Sequence, residues 1–383
     1  MQSRGKLVSL RNMKGKIFIF LSSVLLGLMI LGVVEEVMAQ DMEGGIEEMK
    51  TLEGEIVEVV EEKLLSNEGG EERYWQVLAV KVVRGELVGE VVQVENGSEM
   101  MSSLERYGVG DVVMISWSKD FEGGDVFYIT DYVRRDALFW LFVIFVLMVV
   151  LISRWQGVSS LLGMAVSFGV IFKFVLPRIA VGDDPVVVAI LGSLAIIPAT
   201  FLLSHGVNKK TWIAIAGTLM ALVVTGVMAN VFVKAANLTG FASEEAGFLQ
   251  AYNPGLVNIK GILLAGIIIG VLGVLDDITV SQSGIVEQLK KANSKLKAGE
   301  LYRQAMVVGK DHIASMVNTL VLVYTGAALP LLLLFVDNPR PFVEIVNYEI
   351  IADEVVRTLV GSIGLMLAVP ITTLIAALAV EGD

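Results

Sequence analysis

The run ALFWLFVIFVLMVVLI fills residues 137–152, just after Arg134, Arg135 and Asp136. It holds no charge, amide, hydroxyl or glycine, so it suits lipid or the dry centre of a large protein. Six further apolar runs follow, at 158–176, 185–203, 212–233, 261–275, 313–335 and 355–380. Several approach the roughly 20 residues that a helix needs to cross about 30 Å of hydrocarbon, while the first and fifth are shorter and draw on flanking residues. The pattern predicts an α-helical polytopic membrane bundle of seven transmembrane helices over residues 137–383. Composition agrees, with 55% apolar and 18% charged residues and a mean hydropathy of +0.71, more apolar than a soluble domain carries. Cysteine is absent, which excludes disulfides, thiol catalysis and thiolate metal sites.

Ahead of the bundle the chain changes character. Arg4, Lys6, Arg11, Lys14 and Lys16 precede an apolar run at 17–34, and Val37-Met38-Ala39 suits a signal-peptidase cut, so residues 1–39 are expected to be a signal peptide or an uncleaved signal anchor. Residues 40–136 hold 23 acidic and 9 basic side chains, a local charge of −14, and none of the eight prolines. Short β-rich runs at 53–62, 73–84, 89–95, 111–118 and 126–133 alternate with turns at Arg84-Gly85, Asn96-Gly97 and Gly123-Gly124. With a short helix expected at 99–107, this predicts a small extracytoplasmic all-β domain, OB-like, although an SH3-like barrel or an open sheet has the same pattern. Its charge argues against nucleic acid as a partner.

Orientation follows from the cations of the loops. With the β domain outside, the inner loops hold Arg154, Lys209, Lys210, Lys290, Lys291, Lys295, Lys297, Arg303 and Lys310. The outer ones hold Arg178, Lys234, Lys260 and Arg340, and also the acids Asp353 and Glu354. The positive-inside rule and the signal sequence therefore agree on one topology, with a cytoplasmic C-terminus in the plasma membrane. Residues 276–312 form the longest inner loop, where apolar residues recur among lysines as in a pair of amphipathic helices.

Candidate functional residues gather around that loop. Asp276 and Asp277 are placed where the fifth helix reaches the inner surface, with Gln282 just beyond, and they offer hard oxygen ligands, a proton acceptor or merely a polar helix end. Asp311, Ser315, Asn318 and Thr325 recur at helical spacing, which predicts a polar stripe facing other helices or water, either as helix glue or as the wall of a pathway. His312 joins them as a candidate ligand, although no metal-binding spacing accompanies it. Lys173 is expected to snorkel. Gly266 and Gly270 predict close helix packing, and Gly192-Ser193 before Pro198 with Gly361-Ser362 before Pro370 hint at an internal repeat of the third and seventh helices.

Three stretches carry a family resemblance: GVLDDITVSQ at 273–282, Glu300-Leu301-Tyr302, and VGKDHI at 308–313 with VNTL at 317–320. They resemble the signature region of the YibE/F-like family of bacterial multi-pass membrane proteins, with Lys310 where that family carries arginine. The resemblance implies a signal, a small extracytoplasmic domain and a helical bundle, and brings no established activity with it.

The residues themselves lead to three expectations of function. The first is a permease or export component for a small solute or ion, with no ATPase motif of its own. The second is a non-transporting scaffold or sensor that binds a partner through the outer domain. The third is an intramembrane metalloenzyme, resting on Asp276, Asp277, Asp311 and His312. The cofactor is left open. Membrane lipid is the expected surrounding, and a homo-oligomer or a membrane protein the expected partner.

Overall fold

The computed structural model describes residues 50–66, 72–97, 106–119, 123–252, 255–336 and 340–381. The expected signal segment and most of the expected helix at 99–107 lie outside the described residues. The chain divides into two units, residues 40–148 and, apart from the N-terminal segment, residues 149–383.

The first unit is a five-stranded antiparallel sheet of β1 (Lys50–Ser66), β2 (Glu72–Arg84), β3 (Val91–Asn96), β4 (Val112–Lys119) and β5 (Asp125–Tyr132). The order is β3-β2-β1-β4-β5, and the two edge strands, β3 and β5, also lie close together. Alternation builds it: Val92, Val94 and Asn96 of β3 point inward while Val91, Gln93 and Glu95 point out. The inward residues meet in a core of Leu52, Ile56, Leu78, Val80, Val94 and Ile115. At 17 residues β1 is longer than its apolar pattern suggests, because its second half pairs with β2 as far as Ser66. Register shifts at Glu53/Gly54, Ile56/Glu58 and Val59/Glu61 bend it on the way.

The helices of the second unit are α1 (Arg135–Val170), which begins in the first, a π-helical turn (Ile171–Val175), α2 (Leu176–Ala180), α3 (Pro185–His205), α4 (Lys209–Ala235), α5 (Glu244–Tyr252), α6 (Ile259–Ala292), α7 (Ala298–Ala327), α8 (Leu329–Val336), α9 (Phe342–Ile345) and α10 (Glu349–Glu381). Short polar residues start the long ones. Asp184 accepts from the amides of Val186 and Val187, Asn208 from Thr211 and Asn258 from Gly261, satisfying amides that a helix leaves free at its N-terminus. Helices α4, α6 and α10 pack on one another around Ala221, Ile268, Leu275, Leu365, Ala368 and Val369.

Among the described residues six helices are long and apolar enough to cross a membrane, where the apolar runs predict seven. The first two runs form one stretch, Arg135–Ala180, which is broken at Arg154 with φ 49° and ψ −126°. A second difference concerns residues 276–312. Helix α6 continues unbroken through Asp276 and Asp277 to Ala292, and α7 starts at Ala298, so the expected inner loop is mostly the continuation of two long helices. Carboxylates inside an apolar run look like its end, but the i to i−4 hydrogen bonds of α6 do not depend on the side chain.

Candidate functional site

Asp276 and Asp277 fall halfway along α6. Asp276 is half-buried and Asp277 exposed, as neighbours about 100° apart on a helix must differ. One turn further on, Thr279 is wholly buried. Its hydroxyl lies 2.7 Å from that of Thr218 on α4 and 2.9 Å from the carbonyl of Leu275, while the Thr218 hydroxyl reaches the carbonyl of Ala214 at 2.9 Å. Each hydroxyl has one proton, so one bonds its neighbour and the other its own helix.

Gln282 is also wholly buried. Its Nε2 donates to the carbonyl of Ala305 on α7 at 3.0 Å, while Oε1 is buried with no partner among the described residues. The contact is close because α7 carries Gly309 there. A Cβ at that position would lie 2.6 Å from Val369 Cγ1 on α10 and 3.0 Å from Gln282 Nε2. Gln282 therefore sits where α6, α7 and α10 meet.

The other expected site residues lie elsewhere. His312 is half-buried, with Nδ1 enclosed and unpartnered among the described residues. It lines a cleft of about 840 Å³ together with Lys210, Ser281, Glu287 and Val308. Asp311, Ser315 and Asn318 are exposed, so the expected stripe does not pack against helices of this chain. No group of three or more His, Asp or Glu side chains comes together among the described residues, so the cluster that the metalloenzyme expectation needed is not formed.

Two structural features were not anticipated from the sequence. The first is a set of buried hydroxyl and amide groups on α4, α6 and α10. Thr218, Thr225, Thr279, Gln282, Thr372 and Thr373 expose no surface, and the Thr372 hydroxyl has no partner among the described residues. A threonine can return its hydroxyl to its own helix, as Thr225 does to Ala221 and Thr373 to Val369, so its burial leaves no mark on a hydropathy pattern. The second lies near the start of α10, where Asp353 and Glu354 belong to the helix and not to a loop. Asp353 is buried against Arg357, 3.3 Å away, and Glu349 accepts from the amides of Thr239 and Gly240 and the Thr239 hydroxyl. An acid and an arginine four residues apart in an apolar helix are the signal that could have found the pair.

Conversely, Gly266, Gly270 and Gly273 have open space where a Cβ would stand. Their spacing does not produce the expected close packing within this chain. Lys173 lies in the π-helical turn with a buried, unpartnered Nζ among the described residues.

In the β unit, Gln76 is wholly buried. It bonds both backbone groups of Tyr107, donating to its carbonyl at 3.0 Å and accepting from its amide at 3.0 Å, and it donates to Glu62 at 2.9 Å. Arg106 donates to both oxygens of Glu62, at 3.1 and 3.0 Å, and its hydrogen bond holds the Glu62 carboxyl below its ordinary range. This pair borders a cleft of about 610 Å³ with Val59, Tyr107 and Asp111.

Long apolar helices with buried polar residues, joined to a separate antiparallel β unit, define a multi-pass membrane protein with a small accessory domain. The chain belongs to the YibE/F-like protein family, whose model matches residues 141–382. No curated protein and no solved structure matches it.

Proposed function

We propose that this protein is a permease or export component of the bacterial plasma membrane that moves a small solute or ion. The observation that carries the reading is the set of buried polar groups on α4, α6 and α10. Wholly buried groups of a bundle are ordinarily hydrogen-bonded, yet Gln282 Oε1 and the Thr372 hydroxyl find no partner among the described residues. Helix glue accounts for the paired Thr218 and Thr279, but it leaves these two oxygens unexplained. Oxygens offered at membrane depth suit a small cation, a proton-carrying water or a polar solute. Asp276, halfway along α6, supplies the charge preference. His312 and its cleft form the inner mouth, and Asp277, Asp311, Ser315 and Asn318 lie on the flank of that path.

In this reading Arg154 turns the chain, so that seven helices cross, the C-terminus is cytoplasmic and the β unit is outside. The order β3-β2-β1-β4-β5 with neighbouring edges supports an OB-type barrel for that unit. Flux of protons and monovalent cations into liposomes holding the purified protein tests the proposal, with Gln282→Leu and Asp276→Asn as comparisons. Flux in the parent that both substitutions abolish is the expected result, and no flux of any probe rejects it.

A second reading, a scaffold or sensor, is favoured by the cleft beside Glu62 and Arg106. Capture of a partner by the full-length protein, lost on Arg106→Glu while liposome flux stays absent in the parent, would place that reading first.

A further inference from the structure

Two contacts between α4 and α10 are mirror versions of each other. A Cβ added to Gly217 on α4 would meet Thr372 on α10, with Thr372 Cβ at 3.0 Å and Cγ2 at 3.1 Å. A Cβ added to Gly364 on α10 would meet Thr225 on α4, with Thr225 Cβ at 3.1 Å and Cγ2 at 2.9 Å. Each helix therefore offers a glycine to the other's threonine, eight residues from a threonine that it places on the other's glycine. Passing from the first contact to the second moves up α4 and down α10, so the helices run antiparallel.

Extending this register in steps of four gives one seam on each helix. On α4 it is Ile213, Gly217, Ala221, Thr225 and Ala229; on α10 it is Val360, Gly364, Ala368, Thr372 and Ala376. Read in chain order, the seams are the same except for Ile against Val. All ten residues are buried, and the register sets Ala221 opposite Ala368 at the centre. Laid over one another without a gap, the helices also agree outside the seam. Every buried residue of α4 between 213 and 233 falls on a buried residue of α10 between 360 and 380. Small residues at spacing four are common wherever helices approach closely, but they do not require glycine and threonine to occupy the same rungs of both helices and to exchange partners. A contact in which each side presents the same residues to the other is isologous, and it implies a two-fold axis between the two helices.

The neighbours share the same kinds of partner, although α3 lies mainly on α6 and α7 mainly on α10. Helix α6 packs against both α4 and α10; α3 packs on α4 and α6, and α7 on α10 and α6. The sequence hint of a repeat paired α3 with α10, whereas the seam points to α4 with α10.

We infer that α3–α4 and α7–α10 are the two halves of an inverted repeat around α6, and that the α4–α10 seam is the surface on which they rock. The motion's purpose rests on the transport reading; the repeat does not. The seam interlocks no side chain larger than threonine at its three central rungs, so a tilt that opens one end and closes the other displaces only small side chains. Inverted halves that exchange conformations are how many transporters expose one site to the two sides in turn.

The absence of cysteine makes a direct test clean. Three pairs are introduced into the full chain, with a protease site inserted at Gly255 so that a bond between the seams holds the fragments together: Ala221→Cys with Ala368→Cys, Ile213→Cys with Ala376→Cys, and Ala229→Cys with Val360→Cys. In membranes under a mild oxidant, the central pair should bond in nearly all molecules. A variant with both end pairs should close one bond per molecule and keep two titratable thiols. Failure of the central pair to bond overturns the repeat, and two end bonds in one molecule overturn the rocking. If the four-cysteine chain is not produced, the two end pairs are read separately, and bonding as fast and as completely as the central pair at both ends overturns the rocking equally. Liposome flux tests transport separately. Flux lost when an end pair is oxidised and regained on reduction is expected, whereas no flux even in the reduced protein rejects the transport reading and leaves the thiol result standing.

Discussion

Thr218 and Thr279 bring their hydroxyl oxygens to 2.7 Å across the α4–α6 interface, at a place where neither residue exposes any surface. Removing one hydroxyl leaves the other its own helix carbonyl, so Thr279→Val should cost only about 1 kcal/mol. Thr218→Val should cost the same, and the double variant less than the two singles together, because the shared bond is lost once. Unfolding of the purified variants in mixed micelles measures all three. Additive costs would show that the hydroxyls do not bond.

The glycines of α6 and α7 predict opposite outcomes. At Gly309 a methyl group would stand 2.6 Å from Val369 Cγ1, and overpacking of that kind costs about 1–3 kcal/mol. At Gly266 nothing lies within 4 Å, and alanine is the better helix former by up to about 1 kcal/mol. Gly309→Ala should therefore lower the midpoint of thermal unfolding of the detergent-solubilised protein, and Gly266→Ala should leave it unchanged or raise it. A loss at Gly266 would mean that the open face is covered by something outside this chain.

Acid should weaken the β unit through Glu62. The hydrogen bond from Arg106 lowers the Glu62 pKa in the folded state, so the stabilisation is present above the unfolded value near 4.5 and is lost as pH falls through the lower folded value. Glu62→Gln removes this dependence. The parent and Glu62→Gln should differ most at neutral pH and converge below about pH 4. Tryptophan fluorescence of Trp75 and Trp117 follows the transition; a difference that grows in acid would reverse the sign and reject the assignment.

Much of this structure is legible in the chain because its signals are local. Each of the five strands lies where alternation and glycine turns put it, since a strand facing one core must alternate. The runs from 185, 212 and 355 become α3, α4 and α10 for an equally local reason, the length of hydrocarbon to be crossed. The site is harder to read. Asp276 and Asp277 imitate a helix end because carboxylates interrupt hydropathy, and Gly266 with Gly270 imitate an interface because spacing carries no direction. The buried polar set is invisible, since Thr218, Thr225, Thr279 and Thr373 return hydroxyls to their own helices or to each other and read as ordinary apolar helix. The glycines and threonines of the α4–α10 seam lie too far apart in the chain for any window to contain both sets. Only the packing brings Gly217 to Thr372.

Arg154 decides how many times the chain crosses. The stretch Arg135–Ala180 has 46 residues, and at 1.5 Å per residue a straight helix of that length would span about 70 Å, more than twice the hydrocarbon thickness. The break at Arg154, an exposed cation with φ 49°, allows the two halves to cross separately. Two crossings here give seven in all, and with the β unit outside they bring the C-terminus to the cytoplasm; one crossing gives six and leaves it outside. Reporter fusions separate the alternatives. Alkaline phosphatase should be active after Tyr132 and after Gly182 and inactive after Arg154, while a fluorescent protein should fold after Arg154 and after Glu381. Phosphatase activity after Glu381, with none after Gly182, would show a single long crossing, and would put the cleft beside His312 on the outer side of the membrane.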